Sequence, residues 1–221
     1  MAIERVAVIL FSDLSHMNVI QEIIINAPPF IFALTVHEFA HGYVAHRLGD
    51  NTAARLGRLT LNPLKHLDPI GVLAFFLIKI GWAKPMPVDP RYFKNPRQDM
   101  IWVSLAGPGV NLIMAVLSAL LAKLIVLLVA GLPAFYIMPL LQMAAASIWI
   151  NILLAVFNLV PIPPLDGSKI LLGLLPREMA FAYAKLEPYG FIILLVLFYA
   201  GLLPRFIMPI ISFAQALIVG G

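Results

Sequence analysis

Polar residues are sparse along this chain, and the gaps between them are long. From about 28 to 48, 100 to 131 and 137 to 160 the sequence runs almost unbroken through Leu, Ile, Val, Ala, Phe and Met. A helix crossing a bilayer needs about 20 mostly apolar residues, so these runs predict three spanning helices. Residues 189–219 are apolar too, but Gly201, Pro204 and Arg205 interrupt them; they predict one broken helix or two short ones. Residues 3–26 carry Asp13, His16, Asn18, Gln21 and Glu22, which suits a surface-lying or re-entrant helix or a poor span. Pro28 and Pro29 then break the pattern, and because proline is tolerated in a first helical turn, the first clear span starts there. It ends near Gly49, a residue suited to a C-terminal cap.

Between the first two spans the character changes. Residues 49–99 are rich in Pro, Gly and charge. "GRLTL" (57–61) and "PMPVD" (85–89) alternate weakly and predict short membrane-associated strands, while 70–80 is apolar but too short to span and reads as re-entrant or interfacial. The fold class expected is an all-α polytopic membrane protein. A three-span core is joined by flanking membrane helices, with short β strands between the first two core spans. Residues 1–221 form a single membrane-embedded domain, with its core at about 28–190 and flanking segments at 1–27 and 189–221.

Composition agrees. Hydrophobic residues make up 62% and charged residues 12%, against about half and a quarter in soluble domains. The net charge of +4 needs no nucleic acid, because basic residues collect in cytoplasmic loops of membrane proteins. Arg47, Arg55, Arg58, Lys65, Lys79, Lys84, Arg91, Lys94 and Arg97 lie within 47–99, and Lys169, Arg177 and Lys185 within 165–188, whereas 131–136 has no basic residue. The two basic segments are therefore expected in the cytoplasm, with the chain multi-pass in the cell (inner) membrane. The absence of cysteine excludes disulfides and thiolate metal sites. The N-terminus lacks a small-residue cleavage site and reads as retained.

Candidate chemistry sits where lipid should tolerate none. Within "IFALTVHEFAHGYVAHRLG" (31–49) stand His37, Glu38 and His41. In a helix, residues four apart lie about 40° apart around the axis and about 6 Å along it, so both imidazoles can reach one metal ion. Glu38, rotated by about 100°, is placed to act on a water instead. H-E-x-x-H on a helix is the pattern of two zinc ligands and a general base. Catalytic zinc takes a third protein ligand. Asp166, in "PIPPLDG", follows directly on an apolar span and lies, by the charge argument, at the same cytoplasmic level as the histidines. The competing role for Asp166 is to cap the helix begun by "GSKILLGLL". Intramembrane ionisable residues usually mark function.

With these motifs together, the chain resembles the site-2 proteases, zinc metalloproteases that cut within membranes. "ALTVHEFAHGYVAHRLGD", "GRLTLNPLKHLDPIG", "GWAKPMPVDP", "SLAGPGVNL" and "FNLVPIPPLDGSKIL" all look like the small branch of that family, over residues 28–190. The resemblance implies one Zn2+ per chain, held by His37, His41 and Asp166, with Glu38 as catalytic base. It matches Asn158 to an asparagine associated with substrate handling, and Gly107 to Asn111 to a G-x-x-x-N element. His66 also recurs in the family's pattern. Each of these has a plainer role: an interhelical hydrogen bond for Asn158, packing for Asn111, loop ordering for His66, and close helix approach for Gly107 and Gly109. The family's PDZ and CBS regulatory domains find no room here, so gating falls to the flanking segments or to a separate partner.

The function expected is intramembrane zinc endopeptidase, acting on a membrane protein substrate with a single transmembrane segment and with its active site toward the cytoplasm. An extended substrate, paired by β-addition to an edge strand, would expose the carbonyl that a helix hides. Two alternatives remain: a metal-ion transporter, for which inverted repeats are missing, and an inactive protease-like membrane binding protein.

Overall fold

The computed structural model describes residues 18–68, 83–128 and 133–220. The first helix, α1, is Val19–Arg47. It starts well before Pro28, because Asn18 and Gln21 form a reciprocal capping box: Gln21 N donates to Asn18 Oδ1 at 2.9 Å, and Asn18 N donates to Gln21 Oε1 at 3.2 Å. Pro28 and Pro29 lie inside the helix. Each removes one intrahelical donor, a loss that membrane helices accommodate locally. The break expected at residue 28 is thus absent, and residues 19–27 continue the core helix. Gly49 follows the C-cap with a φ of 113°, as a C-terminal glycine should.

A short helix, α2 (Thr52–Arg55), leads into the loop region. Then come the long α3 (Pro96–Leu128) and α4 (Ala134–Asn158). Next are α5 (Asp166–Leu174), α6 (Arg177–Ala184), α7 (Gly190–Tyr199) and α8 (Leu202–Val219). The chain breaks between α7 and α8 at Gly201, whose φ is 71°, so the final apolar run is two helices. Among the described residues five stretches are long and apolar enough to cross a membrane: Ile20–Arg47, Pro96–Leu128, Phe135–Asn158, Arg177–Tyr199 and Leu202–Val219. This is a multi-pass membrane protein.

Helices α1, α3 and α4 pack against one another, α5 packs on α3, and α8 packs on α4 and α7. The stripe of α3 that turns inward is small or polar: Ser104, Gly107, Asn111, Ala115, Ser118, Ala119 and Ala122 are all buried. Its large side chains, Leu117, Leu120, Leu121 and Leu124, are exposed. Lipid is as apolar as leucine, so helices here gain from close backbone approach and buried polar contacts. Ala115 and Ala119 meet Ile148 and Ile152 of α4 and Ile207 and Ile211 of α8 in the main apolar cluster.

The expected strands are not formed among the described residues. One isolated antiparallel bridge joins Leu67 to Ala83. At 57–61 the chain turns, with Gly57 at a φ of 62°. Residues 84–89 are extended, yet Pro85 and Pro87 lack the N–H a ladder requires. The remaining polar backbone groups are largely taken by side chains: Met86 N and Asp89 N donate to carboxylates, and the Lys84 and Pro85 carbonyls accept from Arg58. Among the described residues, neither 57–61 nor 85–89 pairs as a strand. The segment at 70–80 lies outside the described residues, as do residues 1–17.

Candidate metal centre

Helix α1 presents His37 and His41 on one face, and the ring centroids lie 4.6 Å apart. Asp166 arrives from the start of α5, where Gly167 lets the chain fold tightly back on the end of α4. A Cβ on Gly167 would collide with the carbonyls of Leu159 and Val160. The N-cap of α5 is Leu165, so Asp166 does not cap the helix; its side chain turns to the histidines. Asp166 Oδ2 is 3.2 Å from His37 Nε2 and 3.0 Å from His41 Nε2, and the two Nε2 atoms are 3.0 Å apart. All three residues are buried, and together they form a group able to hold a metal ion.

The hydrogen-bond network fixes which ring nitrogen carries the proton. His41 Nδ1 lies 2.7 Å from the Val103 carbonyl, which can only accept, so the proton is on Nδ1. For His37 the chain of logic is longer. The Ser147 carbonyl accepts from Asn151 Nδ2 at 2.8 Å; Asn151 Oδ1 then accepts from Asn111 Nδ2 at 2.7 Å, and the Ala33 carbonyl accepts from the same amide at 3.3 Å. Asn111 Oδ1 is left facing His37 Nδ1, which must donate. With the Nδ1 protons so placed, each ring in its metal-binding form turns an Nε2 lone pair toward the other ring and a carboxylate oxygen. Three acceptors converging in a buried space call for a cation. Zinc ligands arranged tetrahedrally at about 2.0–2.1 Å stand about 3.3 Å from one another, close to the spacing found.

Gly107 of α3 seals the inner side. A Cβ built there would stand 2.5 Å from both Nε2 atoms, far inside contact distance of the two histidines. The close approach expected of Gly107 is real. At Gly109 nothing lies within 4 Å of such a Cβ, so no close approach depends on it.

Glu38, the residue after His37 on α1, is also buried. Its Oε2 accepts the Met86 amide at 2.8 Å. Lys169 Nζ is 3.3 Å from Asp166 Oδ1, the oxygen turned away from the histidines. Asn111 is fully buried beneath His37. Asn158, half-buried at the end of α4, donates from Nδ2 to the Leu154 carbonyl of its own helix at 2.9 Å. His66 is fully buried and ties its loop through Nε2 to the Thr60 carbonyl at 2.7 Å. The structure thus brings His37, His41, Asp166 and Asn111 into contact, with Glu38 next to His37 on α1; among the described residues no contact joins Asn158 or His66 to them. The Val103 carbonyl, the Met86 amide and Asn151 escaped notice in the sequence. Only Asn151 leaves a signal there, as an amide in an otherwise apolar span.

Known proteins bear on this centre in two ways. A family model described as "Peptidase family M50" matches residues 125–201, a stretch that includes Asp166. "Putative zinc metalloprotease YwhC" of Bacillus subtilis is 42% identical over 182 residues, covering 82% of this chain and 83% of that protein. Rip2 of Mycolicibacterium smegmatis, which carries the same description, is 33% identical over 82% of this chain and 69% of its own. "Zinc metalloprotease MJ0392" of Methanocaldococcus jannaschii is 24% identical over 67% of this chain and 34% of that protein. No solved structure matches the chain. The likeness to the Bacillus protein runs through most of both chains, and on that ground this chain belongs to peptidase family M50, the site-2 proteases.

Proposed function

We propose that the chain is an intramembrane zinc endopeptidase that hydrolyses peptide bonds in or near transmembrane segments of membrane proteins. The observation that carries this reading is the convergence of three buried lone-pair donors, with both histidine tautomers fixed, one residue away from a carboxylate on the same helix. The family membership supports the metal and the reaction class, and the relatives' names are those of zinc metalloproteases.

His37 Nε2, His41 Nε2 and Asp166 Oδ2 would hold the zinc, which would supply Lewis acidity toward water and the scissile carbonyl. Glu38 is the general base: its carboxylate takes the proton of the attacking water and passes it to the leaving amine nitrogen. Asn111 orients His37 through Nδ1, and the Val103 carbonyl does the same for His41. Lys169 Nζ pairs with the second oxygen of Asp166. Asn158 is proposed to meet substrate through its side-chain oxygen, its Nδ2 being taken by the Leu154 carbonyl. The substrate segment must be unwound, since a helix uses its carbonyls internally.

The basic residues of 47–99 and 165–188 support a metal centre toward the cytoplasmic face of the cell membrane. The whole chain acts as one unit, with α8 packed directly on α4.

The test is cleavage of fluorescein-labelled β-casein, an extended chain, by the full-length protein in mild detergent with zinc. Glu38→Gln keeps the size of the side chain and removes the base. Cleavage by the wild type and a loss of at least a hundredfold in Glu38→Gln are expected; equal cleavage by the two would overturn the assignment of Glu38.

A further inference from the structure

Glu38 does not hold its own orientation. A glutamate has three rotatable bonds, and the contact fixing this one comes from across the fold, from the Met86 amide. Because Pro85 and Pro87 carry no N–H, Met86 supplies the single amide donor of residues 85–87. Its side chain is buried against α1: a Cβ on Gly42, one turn beyond Glu38, would meet Met86 Sδ at 3.0 Å. The Pro-Met-Pro run thus rests on α1 at the level of the proposed base.

Both ends of this run are fastened by buried charge. Upstream, Arg58 Nη2 donates to the Lys84 carbonyl at 2.9 Å and to the Pro85 carbonyl at 3.3 Å, while Lys84 N donates to the His66 carbonyl at 2.8 Å. Downstream, Asp89 N donates to Asp50 Oδ2 at 2.7 Å, and the other Asp50 oxygen accepts Thr52 N at 2.8 Å. Arg58 is 7% exposed and Asp50 1%. Burying such charges is costly unless hydrogen bonds compensate, and here Arg58 Nη2 gives both of its bonds to residues 84 and 85, while Asp50 divides its oxygens between Asp89 N and Thr52 N.

We infer that Arg58 is the positioning residue of the general base. It pins residues 84 and 85 so that the Met86 amide holds Glu38 Oε2, and Asp50 pins the far end of the same run. The inference rests on the reading of Glu38 as base. Its consequence is specific: loosening the clamp leaves the metal ligands untouched but lets the carboxylate wander, and small misplacements of a reacting group cost on the order of a hundredfold in rate.

The experiment uses the full-length protein in mild detergent, labelled with [15N]methionine. Hydrogen exchange at the Met86 amide is measured together with zinc content and with kcat and KM on fluorescein-labelled β-casein. Arg58→Met is expected to speed Met86 exchange at least tenfold and to lower kcat by about ten- to a hundredfold, with KM and zinc unchanged. Arg58→Lys, which still donates to both carbonyls, should restore most of both. Asp50→Asn tests the other end and should also speed Met86 exchange, so the idea stays exposed even where Arg58→Met fails to fold. Wild-type Met86 exchange and wild-type kcat in both Arg58→Met and Asp50→Asn would overturn the inference. If Glu38→Gln is dead while Arg58→Met keeps full kcat, the clamp falls and the base stands. If Glu38→Gln cleaves normally, the base falls, whatever Arg58 does.

Discussion

Asn111 holds His37 from beneath: its side-chain oxygen accepts the His37 Nδ1 proton, and its own amide is turned by Asn151 at 2.7 Å. A residue on the second long helix, steered by one on the third, thus sets the tautomer of a residue on the first. Groups that orient metal-bound histidines typically contribute ten- to a hundredfold in metal affinity. Asn111→Leu should therefore weaken zinc binding by about that factor, as read by competition with a chelator of known affinity. Asn151→Leu should weaken it less, because Asn111 keeps its contact to the Ala33 carbonyl. Unchanged affinity in Asn111→Leu would mean that His37 needs no such support.

Gly107 makes a sharper prediction. A methyl at this position would press to 2.5 Å against both Nε2 atoms. Gly107→Ala should lose most of its zinc, while Gly109→Ala, two residues along the same helix, should keep it. Elemental analysis of the two purified variants decides the matter.

Lys169 should matter little by comparison. Its ammonium is about half exposed, at 47% side-chain exposure, and exposed pairs are worth about 0–1 kcal/mol. Lys169→Met should shift zinc affinity by less than about tenfold. A complete loss of metal would show that Asp166 depends on the lysine for its placement.

Removing the metal should soften the membrane core. Three helices meet at the centre, since α1, α3 and α5 all contribute to it, and a ligand that binds only the folded state stabilises it in proportion to the logarithm of its excess over Kd. Chelation should lower the thermal transition in detergent by several degrees, and added zinc should reverse the change. Asp166→Ala should show the lower transition with or without zinc.

What could be read from the sequence was local. His37 and His41 are separated by one helical turn, so a single helix is enough to bring them together, and no tertiary contact needs to be guessed. Asp166 stood out because an acid directly after an apolar span needs a reason. Contacts made by backbone left no such trace. The Val103 carbonyl and the Met86 amide are invisible in a string of side chains, although they orient His41 and Glu38. Two expectations failed at prolines. Pro28 and Pro29 looked like a boundary, but a capping box upstream carries α1 through them. Weak alternation made 85–89 look like a strand, but Pro85 and Pro87 have no N–H for a ladder, and Arg58 and Asp50 take backbone groups there instead.

The most direct test of the centre is zinc per chain in wild type, Glu38→Gln and Asp166→Ala, purified in the same mild detergent and measured by elemental analysis. About one zinc in the wild type and in Glu38→Gln, with a sharp loss in Asp166→Ala, is the result predicted by a site of two histidines and one aspartate with a separate base. Full zinc in Asp166→Ala, or no zinc in any of the three after zinc is added back, would contradict it.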